Sequence, residues 1–340
     1  MKTILIFTTF LFFTFGKTQE KKPYEEFKHF KIIKKNDTIN FHVFSKNDLR
    51  EYKKIIVFFQ GSGADPIYQT MTINDTIKND KNEVTLKPRT VTYSSNMLKL
   101  KSIPNDYALI LISKKSIPFH VEGEFKTPKS FYESEGLKYR AEQGNEVINY
   151  VTKNLIVNPK KIIVIGHSEG SDVVAKLGTI NKKITHIGFW SGGANTQFYD
   201  FALFYRKDAI AGKATEEETK EQLENLFTEI KDIYKYPNNT EKKWLGHSYK
   251  RWTEFSEPSI DNLLKINIPI FVAHGAKDNA VPIESNLLIP IEFIKNKKSN
   301  LTYKMYPNLD HGFRTVPKNE NEKSESKVQE IFEEFLKWTE

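Results

Sequence analysis

The sequence predicts an α/β fold with a mostly parallel, doubly wound sheet and a helical cap insertion. Two observations support this: short continuous apolar segments recur along the chain, and helical patterns separate several of them. Apolar segments of this length are typical of strands buried on both faces of a parallel sheet. Strands that alternate with helices imply right-handed crossovers, which place helices on both faces of the sheet.

The predicted strands begin with a hairpin, in which 27–33 pairs with 38–44 through a turn at Lys35, Asn36 and Asp37. The buried strands follow at 55–59, 107–112, 162–165, 184–190 and 268–273. The alternating segment 301–306 predicts a late strand on the edge side of the sheet. The segments 60–80 and 119–132 contain no such pattern and are predicted to be long loops.

Helices are predicted at 135–154, 172–177, 284–295 and 327–338. The alternation of strands and helices stops after residue 190, and no strand pattern returns before 268. An amphipathic helix at 215–234 occupies this stretch, and its first residues, Thr215 to Glu218, have the form of a capping box. We interpret residues 195–267 as a helical insertion over the sheet, within one domain that covers 19–340.

The composition excludes several kinds of function. The 340 residues include no cysteine, which excludes disulfides, thiolate metal sites and a cysteine nucleophile. The net charge of +8 comes from lysine pairs interspersed with acids, as in a solvated surface rather than a nucleic-acid interface. His120, Glu122 and Glu124 alternate, but no further metal ligand follows at a suitable spacing. We expect no metal and no organic cofactor.

The N-terminus has the features of an export signal. Lys2 provides a positive start, residues 4–15 form an apolar run broken only by threonines, and Gly16 ends it. The run is too short to span a bilayer comfortably, and we expect cleavage between residues 16 and 19. The sequence therefore predicts a signal peptide at 1–18, a secreted or periplasmic protein, and no stable membrane insertion.

The strongest motif is Gly166-His167-Ser168-Glu169-Gly170, which follows the apolar run 162–165 and precedes the helix predicted at 172–177. A nucleophilic serine in a tight turn from strand to helix adopts a strained backbone, so the positions around it must carry little side-chain bulk. The N-terminal N–H groups of the next helix favour a developing anion. This context predicts Ser168 as a catalytic nucleophile.

Two later segments complete a resemblance. His274 to Pro282 follows the strand at 268–273, and Asn308 to Phe313 follows the strand at 301–306. With the Ser168 motif, they make the chain similar to α/β hydrolases of the dienelactone-hydrolase and prolyl-oligopeptidase-like branch. The resemblance implies an α/β-hydrolase fold, with Asp278 as the acid and His311 as the base.

Asp310 is the alternative to Asp278 as the acid. It is less favoured, because a residue adjacent to His311 cannot easily fold back onto the ring nitrogen of its neighbour.

An oxyanion hole requires two preorganised N–H donors. The first is expected to be the amide of Glu169, directly after the nucleophile. The loop Gln60-Gly61-Ser62-Gly63 resembles the His-Gly-x-Gly loop of the family, with Gln60 in place of the histidine. Ser62, or less favourably Gly61, would provide the second amide.

Aromatic residues of the insertion and of the preceding strand are candidates for an acyl-binding wall, although their helical spacing also suits a core. These residues are Trp190, Tyr205, Trp244 and Trp252.

The predicted reaction is hydrolysis of a small-molecule ester through an acyl-enzyme. The alternatives are a peptidase of the prolyl-oligopeptidase type and a noncatalytic binding protein. About 35 residues separate the predicted signal peptide from the core strands, too few for a gating propeller, which disfavours the peptidase. The sequence does not predict an oligomeric state.

Overall fold

The computed structural model describes residues 21–78 and 84–340, so the predicted signal peptide at 1–18 lies outside the described residues. The strands are β1 (Phe27–Lys34), β2 (Asp37–Phe44), β3 (Lys54–Phe59), β4 (Tyr68–Lys78), β5 (Val84–Ser94), β6 (Tyr107–Ile112), β7 (His120–Glu122), β8 (Lys161–His167), β9 (His186–Trp190), β10 (Lys243–Trp244), β11 (His247–Ser248), β12 (Ile270–Gly275) and β13 (Leu301–Tyr306).

The helices are α1 (Lys129–Ser134), α2 (Leu137–Asn154), α3 (Glu169–Ile180), α4 (Gln197–Ile210), α5 (Glu216–Lys235), α6 (Tyr249–Glu254), α7 (Ser259–Leu263), α8 (Ile283–Asn286), α9 (Leu288–Lys295) and α10 (Val328–Trp338). None of the described helices is both long enough and apolar enough to cross a membrane.

Eight strands form the main sheet, in the order β1-β2-β6-β3-β8-β9-β12-β13. The six strands from β6 to β13 are parallel to one another. The hairpin β1-β2 joins the sheet through an antiparallel pairing of β2 with β6. This mostly parallel sheet confirms the predicted fold class.

The sheet is buried on both faces, which explains why its central strands are continuous apolar runs. In β3, Ile55 and Val57 pack in a core cluster with residues of α2, α3, α7 and α9. Ile56 and Phe58 point the opposite way and belong to a second cluster that contains the apolar face of α10. This division follows the alternation of side chains along a strand.

The strand registers bring the carboxyl ends of neighbouring strands to one edge of the sheet. Gly166 at the end of β8 lies opposite Phe59 of β3, and Trp190 at the end of β9 lies opposite both His167 and Ala273. The loops that follow β3, β8, β9, β12 and β13 therefore start side by side. In open α/β sheets this edge is where ligands bind.

The loop prediction for 60–80 and 119–132 is wrong. β4 pairs along its full length with β5, and β7 joins the other side of β4, in a separate three-stranded sheet. Nearly every residue of β5 is exposed, and β4 carries many polar residues. Neither strand therefore shows the apolar run that identifies a buried strand. Their stability comes from the backbone ladder and from pairs such as Arg89 with Asp75.

The insertion consists of α4, α5, α6 and a short ribbon of β10 and β11. Its helices pack on one another around their own apolar cluster, made of Phe198, Ile233, Tyr249 and Trp252. The turn of the ribbon has positive φ at Leu245 (47°) and Gly246 (82°), as a tight hairpin turn requires. The two-residue strands of this ribbon are too short to show a strand pattern in the sequence.

Candidate active site

Ser168 occupies the tight turn between β8 and α3. Its backbone has φ 56° and ψ −130°, and its amide donates to the carbonyl oxygen of Trp190 at 2.9 Å. A Cβ at Gly166 would overlap the backbone of Gly170, and a Cβ at Gly170 would overlap the carbonyl of Phe59. Both glycines are therefore required by close backbone approaches, and the turn holds Ser168 at the end of the strand.

Asp278 and His311 meet through their side chains, although 33 residues separate them in the chain. His311 Nδ1 lies 2.8 Å from Asp278 Oδ2, while Asp278 Oδ1 accepts from the amides of Ala280 and Val281, each at 2.8 Å. Burial alone would raise the pKa of Asp278, but the bond and charge of His311 overcome burial and lower it. The ionised carboxylate is suited to accept the Nδ1 proton of the imidazole.

The backbone of His311 is held by two side chains from adjacent strand ends. His167 Nε2 donates to the carbonyl oxygen of His311 at 2.8 Å, and Ser191 Oγ donates to the same oxygen at 3.0 Å. Burial lowers the pKa of His167 to about 4, so its ring is neutral and carries its proton on Nε2. Sequence reasoning missed this role for His167 and Ser191, and their positions at the ends of β8 and β9 were the available signal.

Asp310 has a different position from Asp278. Its Oδ1 accepts from the amides of Gly312 and Arg314 at 2.9 and 2.8 Å, which shapes the loop that carries His311. Within the described residues, no hydrogen bond joins Ser168 Oγ to the His311 ring. Such bonds are often long before substrate binds. The tight turn that carries Ser168, called the elbow below, and the Asp278–His311 pair therefore remain compatible as one site.

The loop after β3 lies against Ser168. A Cβ at Gly61 would be 3.2 Å from Ser168 Cβ, and Ser62 lines the same cavity as Ser168 and Glu169. Lys114 Nζ donates to the carbonyl oxygens of Gly61 and Gly63 at 2.6 and 2.5 Å. Desolvation lowers the pKa of this buried lysine to about 7. Lys114 thus fixes the loop by bonding two of its carbonyl groups.

A buried charge cluster connects this loop to the elbow and to the insertion. The Glu169 carboxylate accepts from Arg140 Nη1 at 2.8 Å and from Arg251 Nε at 3.0 Å, and Arg140 also donates to the Gln60 carbonyl at 2.6 Å. Burial favours the neutral acid, yet Arg251, Arg140 and Lys114 lower the pKa of Glu169 to about 2. The sequence gives no sign of this cluster, because its members lie on α2, α3 and α6.

A cavity of about 280 Å³ opens beside Ser168. It is lined by the strand-end loops, including Ser62 and Val281, and by the insertion residues Phe201, Phe204 and Trp252. The insertion therefore covers Ser168. A volume this small is just below the range of roughly 300–1,000 Å³ that is typical of small-molecule sites.

Of the four aromatic residues predicted to contact substrate, Trp252 lines the cavity. Trp190 does not line the cavity. Its side chain is fully buried in the core cluster that contains α10, against Phe313 and Phe335. Tyr205 and Trp244 also lie outside the cavity lining. The sequence cannot set the rotational phase of α4, which carries Tyr205, or distinguish the two faces of β9, which carries Trp190. The position of Trp244 depends on the ribbon of β10 and β11, which shows no strand pattern in the sequence.

Metal ligation has no support in the residues 21–78 and 84–340, where no cluster of three or more candidate ligands occurs. His120 bonds Thr70 Oγ1 through Nε2 at 2.9 Å and stacks on the Tyr24 ring. The alternating His120 and Glu122 belong to strand β7.

Comparisons with known proteins identify the family and the fold of the chain. Residues 137–338 match the model of the prolyl oligopeptidase family, and no curated protein matches the chain. Solved structures with a similar fold include the acylaminoacyl peptidase of Pyrococcus horikoshii, at TM-score 0.53 and 11% identity over 92% of this chain and 41% of that one. Dipeptidyl peptidase 4 of Porphyromonas gingivalis has TM-score 0.52 and 9% identity, over 92% and 35%.

The chain spans less than half the length of these two structures, and identities this low establish the fold alone. The family match covers more than half of the 340 residues. The protein is therefore an α/β hydrolase that belongs to the prolyl oligopeptidase family.

Proposed function

We propose that the protein hydrolyses a small carboxylic ester through an acyl-enzyme, with Ser168 as nucleophile, His311 as base and Asp278 as the orienting acid. The observation that carries this proposal is the strained Ser168 at the end of β8, on the same sheet edge as the hydrogen-bonded pair of Asp278 and His311. An elbow serine without a base, or an Asp–His pair without a nucleophile, would not favour this chemistry.

In the proposed reaction, His311 Nε2 takes the proton of Ser168 Oγ as the oxygen attacks the ester carbonyl. The imidazolium, stabilised by Asp278, then gives that proton to the departing alcohol, which leaves an acyl group on Ser168. Water repeats the sequence, and the acid and the free serine are the products. The amides of Glu169 and Ser62 are the proposed donors to the oxyanion.

An ester is favoured over a polypeptide by the cavity, since about 280 Å³ beneath the insertion suits a small acyl group. Hydrolysis of an amide is the second candidate, and the match to a peptidase family favours it. A noncatalytic binding protein is disfavoured, because Ser168, the hydrogen-bonded pair of Asp278 and His311, and the loop after β3 all lie at one edge of the sheet.

Labelling with a fluorophosphonate probe, together with p-nitrophenyl butyrate hydrolysis, tests the proposal. We expect the native protein to be labelled and active, and Ser168→Ala to lose both properties while remaining folded, since only binding and oxyanion stabilisation would remain. Ser130→Ala, outside the cavity lining, is the matched control and should retain both.

Turnover by Ser168→Ala above about a tenth of the native value would refute the assignment. Comparing the ester with an aminoacyl p-nitroanilide distinguishes the esterase from the amidase.

A further inference from the structure

Two carboxyl side chains that the proposed reaction does not use line the cavity together with Ser168. Asp172 lies on α3, one turn after the nucleophile, and Asp200 lies on the insertion helix α4. Their residues are 9% and 6% exposed. Acidic groups this deeply buried require compensation by donors or by positive charge.

The protein compensates Asp172 only with neutral donors and leaves Asp200 short of a partner. Ser259 Oγ donates to Asp172 Oδ1 at 2.5 Å, and Gln197 Nε2 donates to Oδ2 at 3.2 Å. Asp200 Oδ1 is buried without a hydrogen-bond partner. Ser285 Oγ lies beside the Asp200 carboxyl and is a neutral donor near it. Asp200 therefore has a neutral neighbour, but no ion-pair partner, in the cavity wall.

Neither acid has a basic partner among the ion pairs of residues 21–78 and 84–340. Arg251 is the guanidinium on this wall: it shares the Glu169 carboxylate with Arg140, its Nη1 is buried without a partner, and it stacks on the Trp252 ring. Burial, opposed by the neutral donors, raises the pKa of Asp172 and of Asp200 to about 7. Because two guanidinium groups share Glu169, the charge of this part of the cavity is negative once both acids ionise.

The remaining wall is aromatic. Phe201, Phe204 and Trp252 line the same cavity, and aromatic faces attract cations more strongly where water is excluded. A protonated amine would supply the two acids with a donor and with a positive charge, and its carbon chain would contact the rings. An alcohol would supply a donor without the charge.

From this combination we infer that the acyl group of the substrate carries a protonated amine, which Asp200 and Asp172 bind while the ester carbonyl faces Ser168. The inference rests on the proposed function and names its substrate class. The insertion provides Asp200 and the rings, so it selects the substrate, and the elbow provides the chemistry.

Pairs of p-nitrophenyl esters that differ only by this charge test the inference. Alanine ester is compared with isobutyrate, and 6-aminohexanoate with heptanoate, at pH 8. We expect at least one amine-bearing ester to exceed its neutral partner in kcat/KM by about tenfold or more, as hydrogen bonds to charged groups permit. Asp200→Asn should bring that ratio close to one. Asp208→Asn, an exposed acid on the same helix, is the matched control and should keep the native ratio.

Inhibition of the native protein provides a measurement that does not depend on a variant folding. Butylammonium, butan-1-ol and butyrate are compared as inhibitors of p-nitrophenyl isobutyrate hydrolysis. We expect butylammonium to inhibit at a concentration about tenfold or more below the other two. Stronger inhibition by butyrate would show that Arg251 dominates the wall and would overturn the inference.

Equal rates within both ester pairs, or a ratio that survives Asp200→Asn, would likewise overturn it. If the native protein hydrolyses neutral esters without preferring the amine, the inference fails alone. If it hydrolyses no ester and no anilide, the proposed function fails, and the inference fails with it.

Discussion

The buried carboxylate of Glu169 is a sensitive point of the fold, and Glu169→Gln tests its role. The substitution keeps the size of the side chain and the backbone amide but removes the negative charge that Arg140 and Arg251 share. The side chain of Glu169 is 2% exposed, and those of Arg140 and Arg251 are 6% and 3% exposed. Water therefore cannot replace the lost charge without opening the interface between α3 and the insertion.

Two independent estimates give the size of the effect. Removing one partner of a buried ion pair costs about 3–5 kcal/mol, because the other charge remains buried and uncompensated. The pKa of Glu169 falls from 4.5 to about 2, and at about 1.4 kcal/mol per pH unit this corresponds to about 3 kcal/mol. Burial lowers the pKa of Arg140, so the complete cluster contributes less net stability than these figures. The variant, however, removes only the acid.

The pH dependence has a definite sign. Because folding lowers the pKa of Glu169, its contribution is fully present above about pH 4.5 and is lost as the pH falls towards 2. Urea unfolding monitored by circular dichroism at pH 7 should show Glu169→Gln less stable by about 3 kcal/mol. The difference from the native protein should become smaller at pH 3.

Glu216→Gln is the matched control, since Glu216 pairs with Arg206 on the exposed surface and should leave the unfolding midpoint unchanged. A difference below about 1 kcal/mol for Glu169→Gln at pH 7, or one that does not shrink at pH 3, would refute this reasoning.

Two further predictions concern the acid and the cavity wall. Asp278→Asn should lower kcat for p-nitrophenyl butyrate by about 10³-fold or more, because an amide can stabilise the wrong imidazole tautomer. Asp310→Asn should lower kcat far less. The opposite ranking of the two variants would show that Asp278 is not the acid. Trp252→Ala should change the relative kcat/KM for acetate, butyrate and octanoate esters, because Trp252 lines the cavity. Trp244→Ala, which removes a partly buried ring packed against Trp252, should mainly reduce stability, by about 0.5–3 kcal/mol. Identical chain-length profiles for the native protein and Trp252→Ala, both folded, would contradict the second prediction.

Local patterns were sufficient for much of the fold. The central strands of the main sheet are short apolar runs, because a parallel strand that is buried on both faces needs apolar side chains on both sides. The strands β4 and β5 escaped detection because β5 is exposed at nearly every position and β4 carries many polar residues. Their pairing depends on a partner strand rather than on burial, and a single segment does not reveal its partner.

The sequence by itself determined the elbow at Ser168 and the loops that carry Asp278 and His311, because a tight turn needs glycine and each loop directly follows an apolar strand. Only the tertiary structure decided which distant charges meet. Glu169 and Arg251 are 82 residues apart, and Asp172 and Asp200 come from different helices. The partner of a buried charge is set by which elements pack together and at what helical phase, and neither quantity is encoded in a local pattern.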